Sequence, residues 1–105
     1  MNDDVWTALG DTTRREILAR VAAAPSSVTA LADGLPVSRP AVSQHLKVLR
    51  AARLVEVRRH GREHIYAARL DGLADLRREL EQYWGLALAN LKQVAEDSYR
   101  KDPEP

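Results

Sequence analysis

The chain has 105 residues, 45% of them hydrophobic, no Cys and a formal charge of +1. That length holds one domain with a single small core, and the lack of Cys excludes disulfides and thiol chemistry. No run approaches the roughly 20 apolar residues that span a bilayer, so no membrane association is expected.

The predicted elements begin with a short helix around Trp6, Ala8 and Leu9 that ends near Gly10. Nothing in Met1–Gly10 resembles a secretory signal, and a cytoplasmic location is expected. Asp11 or Thr13 caps the next helix, and Thr13 with Glu16 has the spacing of a capping box. Ile17, Leu18 and Val21 supply its core face, and Ala22-Ala23-Ala24-Pro25 stops it. Ser26 or Ser27 then caps a third, short helix with Val28, Leu31 and Ala32 inward. Gly34-Leu35-Pro36 forms a turn into a fourth helix, expected at about 38–52. A short helix, a tight Gly-containing turn and a longer helix make a helix-turn-helix.

The fourth helix is the most informative segment. Ser38 is a good N-cap, and Pro40 falls in the first turn, where a missing N–H costs little. Val42, Leu46 and Leu49, spaced by four and three, form a buried face. Arg39, Ser43, Gln44 and Lys47 point the other way, with no carboxylate among them, which suits the major groove of DNA. Arg39 can grip guanine O6 and N7 or a phosphate, and Gln44 matches adenine N6 and N7. Ser38, Pro40 and Ser43 lie close to the same surface, and Lys47 suits a phosphate. His45 either packs between helices or touches DNA.

A short basic hairpin follows, at about 54–67. Leu54–Arg58 and Glu63–Tyr66 are β-prone, and Gly61 supplies the positive φ of a tight connection. Its tip brings Arg58, Arg59, His60 and Arg62 together, within reach of phosphates or a minor groove. Residues 36–69 carry eight basic side chains against Glu56 and Glu63, a local +6, and the remainder is −5, which leaves the overall +1. Positive charge therefore lies where phosphate neutralisation is needed.

From Leu70 to about Glu96 one long helix is predicted, with Leu73, Leu76, Leu80, Tyr83, Ala87, Leu91 and Val94 as a seam at spacings of three and four. Trp84, Leu88 and Ala95 widen it beyond what one small domain can cover. A homodimer is therefore expected, with Trp6, Leu76, Leu80, Tyr83, Trp84, Ala87, Leu88 and Leu91 at its interface. Residues 101–105, Lys-Asp-Pro-Glu-Pro, read as a disordered tail after a single domain over 1–100. The expected fold is mainly α with a small β-hairpin: a winged helix-turn-helix flanked by N- and C-terminal dimerisation helices.

The chain resembles the ArsR-type (ArsR/SmtB) family of bacterial winged-helix repressors. The likeness lies in Leu9-Gly10-Asp11-Thr12-Thr13-Arg14-Arg15-Glu16-Ile17-Leu18, in the Val37–Leu49 block with its Ser-Gln-His-Leu-Lys, and in the Leu54-Val55 entry to the wing. It implies a homodimer joined by its first and last helices, which binds a palindromic operator and blocks transcription. Metal sensors of the family carry Cys-Val-Cys-Asp-Leu where this chain has Ser27, Val28, Thr29, Ala30 and Leu31. Ser and Thr do not replace thiolate ligands, and residues 70–96 contain no His to accompany Asp71, Asp75 and Glu79. No metal or cofactor is expected, and any small-molecule effector is unknown. No set of nucleophile, base and oxyanion donors points to an enzyme. Two other readings remain at this level: a winged-helix protein-interaction module and a non-specific architectural DNA-binding protein.

Overall fold

The computed structural model describes residues 3–101. Its elements are α1 (Asp3–Leu9), α2 (Thr12–Ala23), β1 (Ser26–Ser27), α3 (Val28–Asp33), α4 (Arg39–Ala51), β2 (Val55–His60), β3 (Glu63–Ala68) and α5 (Leu70–Lys101). Residues up to Ala74 pack as one unit and α5 beyond Ala74 forms another.

In the first unit the starts of α2, α3 and α4 each have a chemical reason. Asp11 caps α2 by accepting the Arg14 N–H at 3.0 Å. Thr13 is therefore the second helical residue and its capping box with Glu16 does not form; a carboxylate two positions earlier meets the same free N–H groups and the positive helix end. Ser27 caps α3 through the Ala30 N–H at 3.1 Å, and Ser38 caps α4 through the Ala41 N–H at 3.3 Å. Ser27 also belongs to β1, a two-residue strand absent from the sequence reading because Ser-Ser carries neither alternation nor branched side chains. The small hairpin is thus part of a three-stranded antiparallel sheet in the order β1-β3-β2.

The core is aliphatic. Ile17 and Val21 of α2, Leu31 of α3, and Val42, Leu46 and Leu49 of α4 are closed off from solvent together with Leu54 and Val55. Full burial of each Leu or Ile contributes roughly 1.5–3 kcal/mol. The end of α4 is a Schellman turn: the Leu54 N–H donates to the Leu49 carbonyl and the Arg53 N–H to the Arg50 carbonyl, each at 3.0 Å. Arg53 occupies the left-handed position, φ +64°, that Gly usually fills. The first turn of α5 then presses on this link. The Arg69 N–H donates to the Leu54 carbonyl at 2.9 Å, and the space a Cβ on Gly72 would need is already taken by the Arg53 carbonyl oxygen.

Asp71 locks the same corner. It accepts from the Arg69 guanidinium at 2.8 Å and from the Gly72 N–H at 2.9 Å, with Arg53 at 3.7 Å. The Arg69 hydrogen bond first, then the Gly72 amide and the two positive charges, hold the Asp71 carboxyl below the ordinary aspartate value. The Arg14 N–H, followed by the charge of Arg14, does the same for Asp11. A carboxylate whose value is lower when folded stabilises the fold above the unfolded-state value near 3.9, and that contribution is lost as pH falls through the lowered one. Urea unfolding across a pH series should therefore show stability falling below about pH 5. Asp11→Asn with Asp71→Asn should flatten that fall; an unchanged acid slope would place the responsible carboxylates elsewhere.

In the second unit α5 runs on to Lys101, past the end expected near Glu96. Gln93 donates to Asp97 at 3.1 Å across one turn there, and no Pro or Gly interrupts residues 86–101. Lys101 is therefore helical; residues 102–105 of the expected tail lie outside the described residues. Ion pairs Arg77–Glu81 and Asp75–Arg78 lie along the helix surface.

Candidate nucleic-acid interface

The fourth helix of the chain presents two chemically distinct faces. Val42, Leu46 and Leu49 are fully buried, whereas Arg39, Pro40, Ser43, Gln44 and Lys47 are exposed. Arg39, Ser43, Gln44 and Lys47 have no side-chain partner within the described residues. That leaves a guanidinium fork, a hydroxyl, an amide and an ammonium on a helix surface, all ready to exchange water for base edges or phosphates. Ser38 sits at the same end with its hydroxyl engaged in capping.

His45 is placed apart from this group. It is half-buried on the other flank of the apolar seam, and its Nδ1 is 3.5 Å from an Arg14 guanidinium nitrogen. Three residues from Val42 on a 3.6-residue helix, it turns towards the preceding helices.

The wing carries its bases on two faces of a ribbon. The register pairs Arg58 with Ile65, Arg59 with His64 and His60 with Glu63. Successive strand residues point to opposite sides, so Arg58 and His60 share one face and Arg59 takes the other. The connection is only Gly61-Arg62, with φ +65° at Gly61, the pattern of a type II′ turn. The strands therefore extend through positions that the sequence suggested were loop, which separates a tip expected to act as one cluster. Arg58 pairs with Glu56 at 3.0 Å and Arg59 Nε donates to the Gly61 carbonyl at 3.2 Å. Arg62 and His60 are exposed without such a partner among the described residues. An exposed pair such as Arg58–Glu56 holds only weakly and can exchange for a phosphate.

From Leu80 onward the large apolar residues of α5 are uncovered. Leu80, Tyr83, Trp84, Ala87, Leu88 and Leu91 are exposed, Trp84 at 68% and Leu91 at 63%, while Leu76 is half-buried. Leu80, Tyr83, Trp84 and Ala87 form an open apolar face of α5 flanked by Arg77 and Glu81. A contiguous exposed apolar surface of this kind is a candidate association surface. Trp6, on α1, is half-buried.

Four residues outside the sequence-derived set shape the site. Arg14 and Arg15 close the end of α1: Arg14 donates to the Ala8 and Thr7 carbonyls at 2.8 and 3.3 Å, and Arg15 to the Leu9 carbonyl at 2.6 Å. Two arginines a few residues past a helix end are a readable signal, since that end carries free carbonyls and negative partial charge. Arg53 and Gly72, which fix the link after the fourth helix, carry no such signal. Among the described residues no group of three or more His, Cys, Asp and Glu is placed to hold a metal, and no helix is long and apolar enough to cross a membrane.

Comparison with known proteins agrees with this arrangement. A helix-turn-helix domain family model matches residues 9–58. The HTH-type transcriptional regulator Rv2034 of Mycobacterium tuberculosis is 51% identical over 92 residues, covering 88% of this chain and 86% of that protein. An ArsR-like transcriptional regulator from Rhodococcus sp. RHA1 superimposes with a TM-score of 0.73 at 43% identity, over 89% of this chain and 91% of that one. The homodimeric winged helix-turn-helix DNA-binding domain of Mb0332 from Mycobacterium bovis does so with a TM-score of 0.65 at 26% identity, over 84% and 82% respectively.

Proposed function

The chain belongs to the ArsR/SmtB family of winged helix-turn-helix DNA-binding transcriptional regulators, and on that premise we propose that it is a homodimeric repressor that reads a palindromic operator. The observation that carries the reading is the unpartnered set Arg39, Ser43, Gln44 and Lys47 on the solvent face of α4, beside a basic wing. Residues 1–100 act as one winged-helix domain. Two copies of α4 enter successive major grooves about 34–36 Å apart, so a two-fold protein meets a two-fold site.

In this reading Arg39 grips a guanine, Gln44 an adenine, and Ser43 packs close to a base. Ser38, Pro40 and Lys47 lie along the phosphates, and Arg58, Arg59, His60 and Arg62 of the wing hold the flanking backbone. His45 supports α4 from behind. The exposed stripe of Leu76, Leu80, Tyr83, Trp84, Ala87, Leu88 and Leu91 meets a second copy, and Trp6 contributes from α1. The homodimeric Mb0332 domain supports that assembly. Occupied promoter DNA is closed to transcription, and the protein works in the cytoplasm with no metal or cofactor of its own. An effector, if one acts, is unknown; the chemistry of Ser27 and Thr29 speaks against a thiophilic metal at that place.

The test is binding of the full chain to the DNA upstream of its own reading frame and to a scrambled version, across a salt series. Selective binding with a steep salt slope supports an autoregulating repressor. Equal, weak binding to both points to an operator elsewhere or to an architectural role, and no binding at low salt to a protein-interaction module. Arg39→Ala should weaken operator binding and relax preference at one base pair by about 1–3 kcal/mol. An equal loss on scrambled DNA would make Arg39 a phosphate contact.

A further inference from the structure

Three helices meet on one side chain. The Arg14 guanidinium is fixed at two nitrogens by carbonyls at the end of α1, Nε to Ala8 at 2.8 Å and Nη2 to Thr7 at 3.3 Å. Its backbone N–H is held by the Asp11 cap of α2 at 3.0 Å. A guanidinium is a rigid planar fork, so two bonded nitrogens fix where the third points. The third, Nη1, lies 3.5 Å from Nδ1 of His45 on α4. Arginine only donates, so this contact is a hydrogen bond in the His45 tautomer that leaves Nδ1 free to accept.

The C-terminal end of α4 is fixed by its Schellman turn and by the Arg69 N–H to Leu54 carbonyl bond. Its buried face, Val42, Leu46 and Leu49, packs through aliphatic contacts, and among the described residues the Arg14–His45 contact is the side-chain hydrogen bond that joins it to the preceding helices. A hydrogen bond from an anchored donor does depend on angle. Base reading tolerates little roll, because a recognition group has to be held within roughly 0.5 Å and 10–20°. We propose that Arg14 is a positioning residue for DNA recognition: through His45 it sets the rotation of α4 and hence the direction of Ser43, Gln44 and Lys47. This rests on the DNA-binding reading above. It assigns to Arg14 control of sequence preference, with general phosphate affinity left alone.

The experiment starts by enriching duplexes from a random-sequence pool with the wild-type full chain. The affinity ratio between the enriched duplex and its scrambled version is then measured for wild type, Arg14→Gln, His45→Leu, His45→Gln and the Arg14→Gln/His45→Leu double variant. Arg14→Gln and His45→Leu should each lower the ratio roughly tenfold, and the double variant no further than the larger single effect. His45→Gln, whose amide oxygen can accept in place of Nδ1, should keep most of the ratio. The salt slope should not change, since no phosphate contact is removed. His45→Leu with a wild-type ratio overturns the proposal, as do single effects that add in the double variant, which would mean the two residues act separately. If circular dichroism shows that Arg14→Gln does not fold, the two His45 variants decide: equal ratios for Leu and Gln overturn it. A wild-type chain that enriches nothing overturns the DNA-binding reading itself, and enrichment with unaffected variants overturns the positioning role alone.

Discussion

Trp84→Asp, or Leu80→Asp, is expected to yield a folded monomer that no longer holds its operator. Trp84 is 68% exposed and Leu80 50%, so neither contributes much to the core of a single copy. Circular dichroism and the unfolding midpoint of the first unit should therefore stay close to wild type. In the proposed dimer the same positions are buried against a second apolar stripe, where a carboxylate loses its water without gaining a partner. Central aromatic residues at interfaces typically account for 2 kcal/mol or more each, so dimerisation should weaken by at least about thirtyfold. DNA binding should fall further than any single contact explains. A monomer engages one half-site, and losing the linked second half-site forfeits roughly 10²–10⁴ in apparent affinity. Sedimentation equilibrium and operator titration on the same samples read both effects. An undiminished dimer would move the interface off α5, and a monomer that still binds the operator as tightly would remove dimerisation from the mechanism.

Gly72→Ala is expected to cost about 3 kcal/mol, at the upper end of what overpacking produces and a large share of a small domain's stability. A Cβ at this position would coincide with the Arg53 carbonyl oxygen and crowd the Arg53–Leu54 backbone behind it. The obstacle is main chain, so no rotamer change relieves it. Nor can the backbone move freely, because the Schellman bonds to Leu49 and Arg50 and the Arg69 N–H to Leu54 carbonyl bond hold it. Either the start of α5 is pushed away or the end of α4 is unwound. Gly85→Ala is the matched control: nothing lies within 4 Å of a Cβ there. Of its neighbours one and two turns away, Arg78, Glu81, Gln82, Ala89 and Lys92 are polar or small and only Leu88 belongs to the apolar stripe, so it sits at the edge of that stripe. That change should stabilise α5 by up to roughly 1 kcal/mol. Urea unfolding of the two variants at matched protein concentration tests the contrast. Equal, small effects would mean that the α4–α5 link yields easily.

The elements of this fold announce themselves in the sequence to unequal degrees. The α4 face was fully legible, because Val42, Leu46 and Leu49 repeat at helical spacing and local capping at Ser38 needs no distant partner. The wing was legible as a hairpin, but its tip was not: whether Arg58 and Arg59 share a face depends on a strand register set across the ribbon. The strand β1 was invisible, since Ser26 and Ser27 are strand only by pairing with Tyr66 and Ile65. The α2 cap shows how two local signals compete, with Asp11 preferred over Thr13 because its carboxylate is charged and nearer the chain entry.

The helix-turn-helix order, the apolar seam and polar face of α4, the basic segment over 36–69 and the second apolar stripe of α5 can all be read from the chain. These are periodicity and composition, which act over a few residues. Tertiary structure alone decided that Arg14 reaches His45 across 31 positions, that Arg53 takes a left-handed turn, and that Gly72 is where α5 can approach it. Each is a contact between distant segments whose cost or gain exists only once the core has brought them together. No local propensity encodes that proximity.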